Sequence, residues 1–166
     1  MPASRQDLFA LFDKWEIKTS TVEHIPVFTV DEAKKVHDQI PGGHCKNLFC
    51  KDEKGVLWLI VALEDAHIDL KAAKDRIGSK RLTFGKPELL IEILGVEPGS
   101  VTPFGLINDR QVKTNVILDE AMMKLDQLNF HPLKNDATTT ISSADLITFI
   151  KGTGHNPRIV AVSEPA

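Results

Sequence analysis

The chain has 166 residues, of which 42% are hydrophobic and 26% charged, so it is long enough for one domain with a substantial core and short for two. Its formal net charge of −3 excludes a protein that binds nucleic acid through overall positive charge, so any contact with RNA needs a local basic surface. No basic-then-apolar leader is visible, and the longest apolar run, residues 56–63, is too short to span a membrane, so we expect a cytoplasmic protein.

Capping signals and apolar spacing predict five longer helices along the chain. Ser4 with Asp7 resembles a capping box, and Thr29 with Glu32 forms a full one. The helices are expected over residues 4–15, 29–40, 69–77, 87–94 and 143–152, with a short helix at 119–124.

Runs of apolar and β-branched residues between these helices predict strands. They cover residues 18–24, 44–52, 56–63, 112–118, 127–131 and 138–141, and an edge strand could form at 158–162. Because the elements do not alternate strictly, and a polar turn at 52–55 joins two of the strands, the pattern predicts an α+β fold. We expect one domain over residues 1–166, a mixed, largely antiparallel sheet flanked by helices, with a frayed end after about residue 162.

The predicted strand at 44–52 carries an unusual lysine. Alternation places Lys46 on one face with Leu48 and Cys50, whereas Asn47 and Phe49 point to the other face. A partly buried ammonium costs free energy unless an oxygen ligand meets it, which favours a phosphate, carboxylate or carbonyl ligand. A lysine that reaches water from the strand end would give the same spacing.

The two cysteines indicate free thiols. Cys45 and Cys50 lie too far apart on an extended strand to form a disulfide. Together with His44 and His131 they lack the spacing typical of zinc ligands, so we expect no metal and no cofactor. The sequence also contains no Gly-rich phosphate loop and no Ser-centred nucleophile elbow.

A second feature is a basic segment around the third predicted helix. It contains one acid, Asp75, and six basic residues between positions 70 and 86: Lys71, Lys74, Arg76, Lys80, Arg81 and Lys86. Such a segment can follow a phosphate backbone, although a solvated helix face would look the same. Lys71, Lys74, Lys80 and Arg81 are the candidates for contacts with a phosphate backbone.

Three further motifs are separated along the chain: Lys46-Asn47-Leu48-Phe49 with Lys51-Asp52, a G-x-x-x-P loop from Gly99 to Pro103, and Asn129-Phe130-His131-Pro132-Leu133-x-Asn135 with Thr138-Thr139. Together they resemble the YbaK/ProX superfamily of tRNA-editing domains. The likeness extends from about residue 4 to 151, and the third motif is more similar to the ProX branch than to the YbaK branch. Cys45 departs from the threonine that often precedes the lysine in ProX-like sequences, which affects the details of the pocket.

The resemblance implies a free-standing enzyme that hydrolyses the ester between a wrong amino acid and the 3′-terminal adenosine of tRNA, most simply alanine on proline tRNA. A synthetase pocket sized for proline excludes alanine weakly, because a missing methylene changes binding by only about 1–3 kcal/mol. A second, smaller pocket supplies the missing discrimination. One alternative is an enzyme that removes cysteine from tRNA. The other is a non-catalytic protein that binds tRNA or a synthetase. Prolyl-tRNA synthetase or an elongation factor are possible partners.

The resemblance also assigns roles to residues. Lys46 would hold the terminal phosphate or ester carbonyl, the loop from Gly99 to Pro103 would give backbone N–H groups to an oxyanion, and His131 would bind the ribose or act as a general base. Water would attack without a protein nucleophile. The expected substrate-binding residues are Asn47, Pro103, Asn135 and Thr138, and candidate pocket walls are Ile40, Leu48, Cys50 and Val61. Ordinary turn, strand-end and packing roles remain open for each of these residues.

Overall fold

The structure, a computed structural model, describes residues 2–26 and 30–164. Within them lie five α-helices: α1 Arg5–Lys14, α2 Val30–Gln39, α3 Leu70–Ile77, α4 Pro87–Leu94 and α5 Ser143–Gly152. The strands are β1 Thr19–Glu23, β2 Gly43–Asp52, β3 Leu57–Leu63, β4 Leu82–Phe84, β5 Thr114–Asp119, β6 Gln127–Phe130, β7 Ala137–Ser142 and β8 Arg158–Val160. Short 3-10 helices lie at Pro98–Ser100, Pro103–Asn108 and Met122–Lys124. No helix in this part of the chain is long and apolar enough to cross a membrane.

The eight described strands form one sheet. Its order is β1-β7-β6-β2-β3-β5-β8, and β4 pairs with β2 beside this path. Strand β7 pairs antiparallel with β1 and β6, and β2 pairs antiparallel with β3 and β4. The pairings β2–β6, β3–β5 and β5–β8 are parallel. The predicted α+β class with a mixed, largely antiparallel sheet is confirmed.

Helices cover both faces of the sheet. The larger core joins α1, α4 and α5 to one face and contains Phe49 of β2. The smaller core joins α3 to the other face and contains the next residue, Cys50. This alternation confirms that Lys46, Leu48 and Cys50 share one face of β2 while Asn47 and Phe49 share the other. Strand β3 lies between the two cores with residues 57–62 all buried, as its unbroken apolar run predicts.

Most helix ends in the structure lie where the capping signals in the sequence predict them. Ser4 and Asp7 form the predicted capping box of α1. Helices α3 and α4 end at Gly78 (φ 79°) and Gly95 (φ 66°), left-handed positions that favour glycine. The capping box predicted at Thr29 lies outside the described residues.

Three predicted boundaries shift by two residues or more, and one of them is the end of β8, which lies at Val160 and not at 162. Strand β5 begins at Thr114 and not at 112, because the Asp109 carboxylate accepts the N–H groups of Lys113 and Thr114 and holds this segment in a turn. The short helix predicted at 119–124 is a 3-10 helix that begins at Met122.

Residues 163 and 164, for which the sequence predicts a frayed end, and Val162 before them are held by hydrogen bonds from their three backbone N–H groups. Asp119 Oδ1 accepts the N–H groups of Val162 (3.0 Å) and Ser163 (3.2 Å), and the N–H of Glu164 donates to the His67 carbonyl (2.8 Å). Val162 is fully buried in the smaller core.

Candidate active site

An interruption in strand pairing places a cavity beside β2. On the edge away from β3, β2 pairs with β6 through Gly43 and His44 and with β4 from Cys50 to Asp52. Between these two contacts lies a cavity of about 220 Å³. It is lined by residues 44–47 of β2, by Pro98, Gly99 and Val101, by residues 129–131 at the end of β6, and by Thr138.

Two glycines leave room for neighbouring side chains at the start of β2. A Cβ on Gly43 would meet Leu125 Cδ1 at 2.6 Å and Leu63 Cδ2 at 2.9 Å, too close for any other residue without a shift. Gly42 has a φ of 103° and lies against Asn129. The Asn129 amide nitrogen donates to the carbonyls of Pro41 and Gly43 at 3.1 and 3.3 Å, so this side chain fastens β6 to the entrance of β2.

Lys46 lines the cavity and is half-buried. Its ammonium donates a hydrogen bond to the carbonyl oxygen of Ala66, in the segment that leads to α3. Because a carbonyl offers no formal charge, an anionic ligand would compete well for this ammonium.

Asn47 also lines the cavity, although its side chain leaves the opposite face of β2. Its Oδ1 atom is buried and has no hydrogen-bond partner within the described residues. Since buried acceptors are nearly always paired, this atom is well suited to receive a donor from a ligand.

The loop after α4 supplies the wall opposite β2. Gly99 lies in the first turn of the 3-10 helix Pro98–Ser100, where its N–H has no acceptor within the helix. The fourth residue beyond it, Pro103, is buried at the start of the next 3-10 helix and is not among the residues that line the cavity. The loop therefore presents Gly99 to the cavity while Pro103 packs behind it.

His131 and Thr138 form the third side. The Nδ1 atom of His131 lies 2.9 Å from the carbonyl oxygen of Ala137. Because a carbonyl can only accept, Nδ1 carries the hydrogen, and Nε2 is the basic nitrogen of the neutral ring. Thr138 Oγ1 is bonded to His24 Nε2 at 2.8 Å.

Asn135 lies next to this cavity and lines a neighbouring one. Its Nδ2 atom is 3.6 Å from the position that a Cβ on Gly99 would occupy. The neighbouring cavity, of about 410 Å³, lies on the other side of the same loop and also contacts Ser100 and Asp136.

Comparison with known proteins identifies the family. A family model described as aminoacyl-tRNA editing domain matches residues 24–149, which is more than half of the chain. The chain belongs to this family. The editing domain is 35% identical over 153 residues to the prolyl-tRNA editing protein ProX of Acetoanaerobium sticklandii, a match that covers 92% of this chain and 93% of that protein.

Two further matches agree with this assignment. The prolyl-tRNA synthetase associated domain-containing protein 1 of Xenopus laevis is 36% identical over 161 residues, covering 94% of the editing domain and 95% of that protein. The solved structure of a protein assigned as a trans-editing enzyme for prolyl tRNA synthetase has the same fold, with a TM-score of 0.69, 20% identity and 99% coverage of both chains. The editing domain is therefore an aminoacyl-tRNA deacylase, an ester hydrolase, as the sequence predicts.

The apolar walls of the cavity differ from those expected. The candidates Ile40, Leu48, Cys50 and Val61 are not among its lining residues, which instead include Pro98, Val101 and Phe130. Leu48 and Cys50 belong to the α3 face of the sheet. Sequence spacing could not reveal that the cavity opens at the strand edge, where residues from a distant loop form the wall.

The thiol of Cys45 is held in its neutral form. Burial raises the pKa of this group to about 12; a hydrogen bond from the backbone N–H of Asn129 opposes the shift, and the Glu64 carboxylate adds to it. Burial likewise raises the pKa of Cys50 to about 12. Thiolates are scarce at neutral pH under these conditions, so neither cysteine is equipped to act as a nucleophile.

The basic segment lies on and after α3. Lys71, Lys80 and Arg81 are exposed, and Lys74 is half-buried and 3.7 Å from Asp75. Arg76, in contrast, is occupied by an ion pair with Glu164 and a hydrogen bond to the Val162 carbonyl. Lys71 and Lys74 therefore lie on a helix that packs against the sheet face to which the Lys46 side chain belongs, and Lys80 and Arg81 follow this helix in the chain.

His24 contacts a cavity residue in a way that the sequence does not reveal. It ends the strand predicted over 18–24; in the structure its Nε2 atom is hydrogen-bonded to Thr138 Oγ1, and its ring lies near that of His131, with 6.3 Å between the ring centroids. This contact joins residues 114 positions apart. No local signal in the sequence predicts it.

Proposed function

We propose that the editing domain removes alanine from mischarged proline tRNA by water attack on the aminoacyl ester, within the cavity beside β2. One observation carries this proposal: Lys46, Gly99 and His131, which come from three separate motifs, line the same cavity of about 220 Å³. The names of the relatives from Acetoanaerobium and Xenopus support proline tRNA as the substrate.

Discrimination between alanine and proline would take place against the apolar part of the cavity wall. Val101 and Phe130 belong to this wall, and the ring of proline must be excluded there for correctly charged tRNA to survive. The synthetase cannot reject alanine strongly by size, so a second, smaller site provides the missing selectivity. Cysteine is only slightly larger than alanine, and its hydrolysis is the main alternative.

The proposed reaction needs no covalent enzyme intermediate. Water adds to the ester carbonyl carbon, and the carbonyl oxygen becomes an oxyanion that the Gly99 N–H and the Lys46 ammonium stabilise. Nε2 of His131 accepts the proton from the water. The bond between the carbonyl carbon and the ribose oxygen then breaks, and the proton passes to that oxygen, giving free alanine and uncharged tRNA.

Asn47 and Asn135 serve substrate binding in this proposal. The Oδ1 of Asn47, which has no partner among the described residues, receives the α-ammonium group of alanine, because a carbonyl-type oxygen is a good acceptor for a desolvated cation. Asn135, beside Gly99 in the neighbouring cavity, contacts the terminal nucleotides. Pro103 contributes indirectly by fixing the loop that carries Gly99.

The basic segment holds the tRNA body. Lys71, Lys74, Lys80 and Arg81 contact its phosphates and leave the 3′ end free to enter the cavity. Prolyl-tRNA synthetase or an elongation factor would then be a partner that delivers the mischarged tRNA.

The test is deacylation of proline tRNA charged in turn with alanine, cysteine and proline. We expect rapid release of alanine and little release of proline. Preferential release of cysteine would leave the site intact and overturn the choice of alanine. Tight, salt-sensitive binding of all three tRNAs without hydrolysis would instead indicate a binding module.

A further inference from the structure

The hydrogen bonds of His24 fix the direction in which the Thr138 hydroxyl points. His24 Nδ1 lies 2.8 Å from the carbonyl oxygen of Ile25, and Nε2 lies 2.8 Å from Thr138 Oγ1. A carbonyl oxygen can only accept, so Nδ1 carries the ring hydrogen. In the neutral ring Nε2 is then an acceptor, and the hydroxyl of Thr138 must donate to it.

This arrangement limits what Thr138 can offer a substrate. A threonine hydroxyl has one hydrogen, and His24 takes it. Thr138 lines the cavity and is 4% exposed, so it is desolvated and close to where a substrate binds. Toward that substrate it can act only as an acceptor.

The backbone holds His24 in place for this contact. The His24 N–H donates to the Asp136 carbonyl (2.9 Å), directly after the antiparallel pairing of β1 with β7 ends. Asp136 is itself held by an ion pair with Arg5. His24 is therefore fixed at the end of the strand pair and does not move as part of a free loop.

We propose that His24 is a positioning residue that orients Thr138 to accept a hydrogen bond from the free ribose hydroxyl next to the scissile ester. This inference rests on the proposed function and identifies the free ribose hydroxyl as one substrate group that the site recognises. The substrate offers two kinds of donor near the ester, that hydroxyl and the α-ammonium group. The amide oxygen of Asn47, to which no group in the described part of the chain donates, suits the ammonium, and this leaves the neutral hydroxyl for Thr138.

A double-mutant cycle tests the linkage between the two residues. We expect His24→Phe and Thr138→Val each to lower kcat/KM for alanine release about tenfold, the value of one hydrogen bond. Because His24 acts through Thr138, the double variant should be no worse than the more severe single variant. Thr138→Ser should retain activity, and His67→Phe, at an exposed histidine, should leave it unchanged.

A second substrate identifies the group that Thr138 reads. With alanyl-tRNA that lacks the free hydroxyl beside the ester, Thr138→Val should cause no further loss of activity. Multiplicative losses in the double variant, or an equal tenfold loss on the deoxy substrate, would overturn the inference. Both results presuppose an active wild-type enzyme, so a wild type without hydrolysis would contradict the proposed function instead.

Discussion

The ammonium of Lys46 donates its hydrogen bond to the carbonyl oxygen of Ala66, and this contact lies outside the regular pairing of β2. The backbone pairing of Lys46 with Ala62 of β3 does not involve the ammonium. The side chain can therefore exchange Ala66 for a substrate oxygen without disturbing the sheet.

Replacement of Lys46 should leave the fold intact. We expect Lys46→Met to change the free energy of unfolding by no more than about 1 kcal/mol, because the apolar stem is kept and one hydrogen bond is lost. Urea unfolding followed by circular dichroism measures this change. A loss of several kcal/mol would show that the lysine is a structural residue.

Replacement of Asn47 should separate activity from stability. Asn47→Leu removes a buried acceptor that has no partner in the described chain, so stability should be unchanged or rise by about 1 kcal/mol, while KM for alanyl-tRNA rises.

The matched control for Asn47 is Asn108. Its Nδ2 donates to the Leu94 carbonyl (2.8 Å), and its Oδ1 accepts the Ala3 N–H (2.7 Å). Asn108→Leu should destabilise the protein by about 1–2 kcal/mol. Equal loss of stability in the two variants would contradict our assignment of Asn47.

Cys45 should be unreactive and dispensable for chemistry. With a pKa of about 12, only about one thiol in ten thousand is ionised at pH 8. Iodoacetamide should therefore leave native Cys45 largely unmodified, as peptide mass analysis would show, and Cys45→Ala should retain hydrolysis. Rapid alkylation with parallel loss of activity would point to a thiol mechanism.

A buried pair stabilises the fold away from the site. His155 Nε2 lies 2.9 Å from Asp109 Oδ2, and both side chains are almost fully buried. Burial alone would raise the pKa of Asp109, but hydrogen bonds from His155 and from the N–H groups of Lys113 and Thr114 outweigh it and hold that pKa below its usual value. We expect His155→Ala to cost about 3 kcal/mol of unfolding free energy.

The same pair predicts a dependence of stability on pH. Because the folded pKa of Asp109 is depressed, its contribution is complete above the unfolded value of 3.8 and is lost as the pH falls through the lower folded value. Unfolding free energies measured at several acidic pH values should therefore fall less steeply in Asp109→Asn than in the wild type. Parallel curves would contradict this assignment.

The basic segment should affect tRNA binding rather than chemistry. Reversing Lys71, Lys80 and Arg81 to glutamate should raise KM and reduce the salt dependence of binding, with kcat nearly unchanged. Lys151→Glu, an exposed change on α5 across the sheet, is the control. An unchanged KM in the triple variant would remove this surface from tRNA recognition.

Local sequence signals predicted most of the fold. The capping box at Ser4, the glycine stops after α3 and α4, and the alternation along β2 depend on neighbouring residues, so they can be recognised in one sequence. The parallel pairings of β5 with β3 and β8 join segments far apart in the chain. Nothing in one sequence specifies such register.

The candidate site could be predicted only in part, because it also depends on contacts between segments that lie far apart in the chain. Family motifs indicated Lys46, Gly99 and His131, which line one cavity. The contact between His24 and Thr138, and the wall formed by Val101, depend on long-range packing and were missed. The catalytic roles of all these residues, and the existence of one domain over the whole chain, remain predictions.

The most direct test of our account is the rate of alanine release from alanyl-tRNA(Pro), measured for the wild type and for Lys46→Met at equal concentration. We predict release by the wild type well above the rate of spontaneous hydrolysis, and a loss of at least about a hundredfold in the variant, as expected when a group that stabilises an oxyanion is removed. Undiminished release by a folded Lys46→Met variant would contradict a catalytic site built on this lysine.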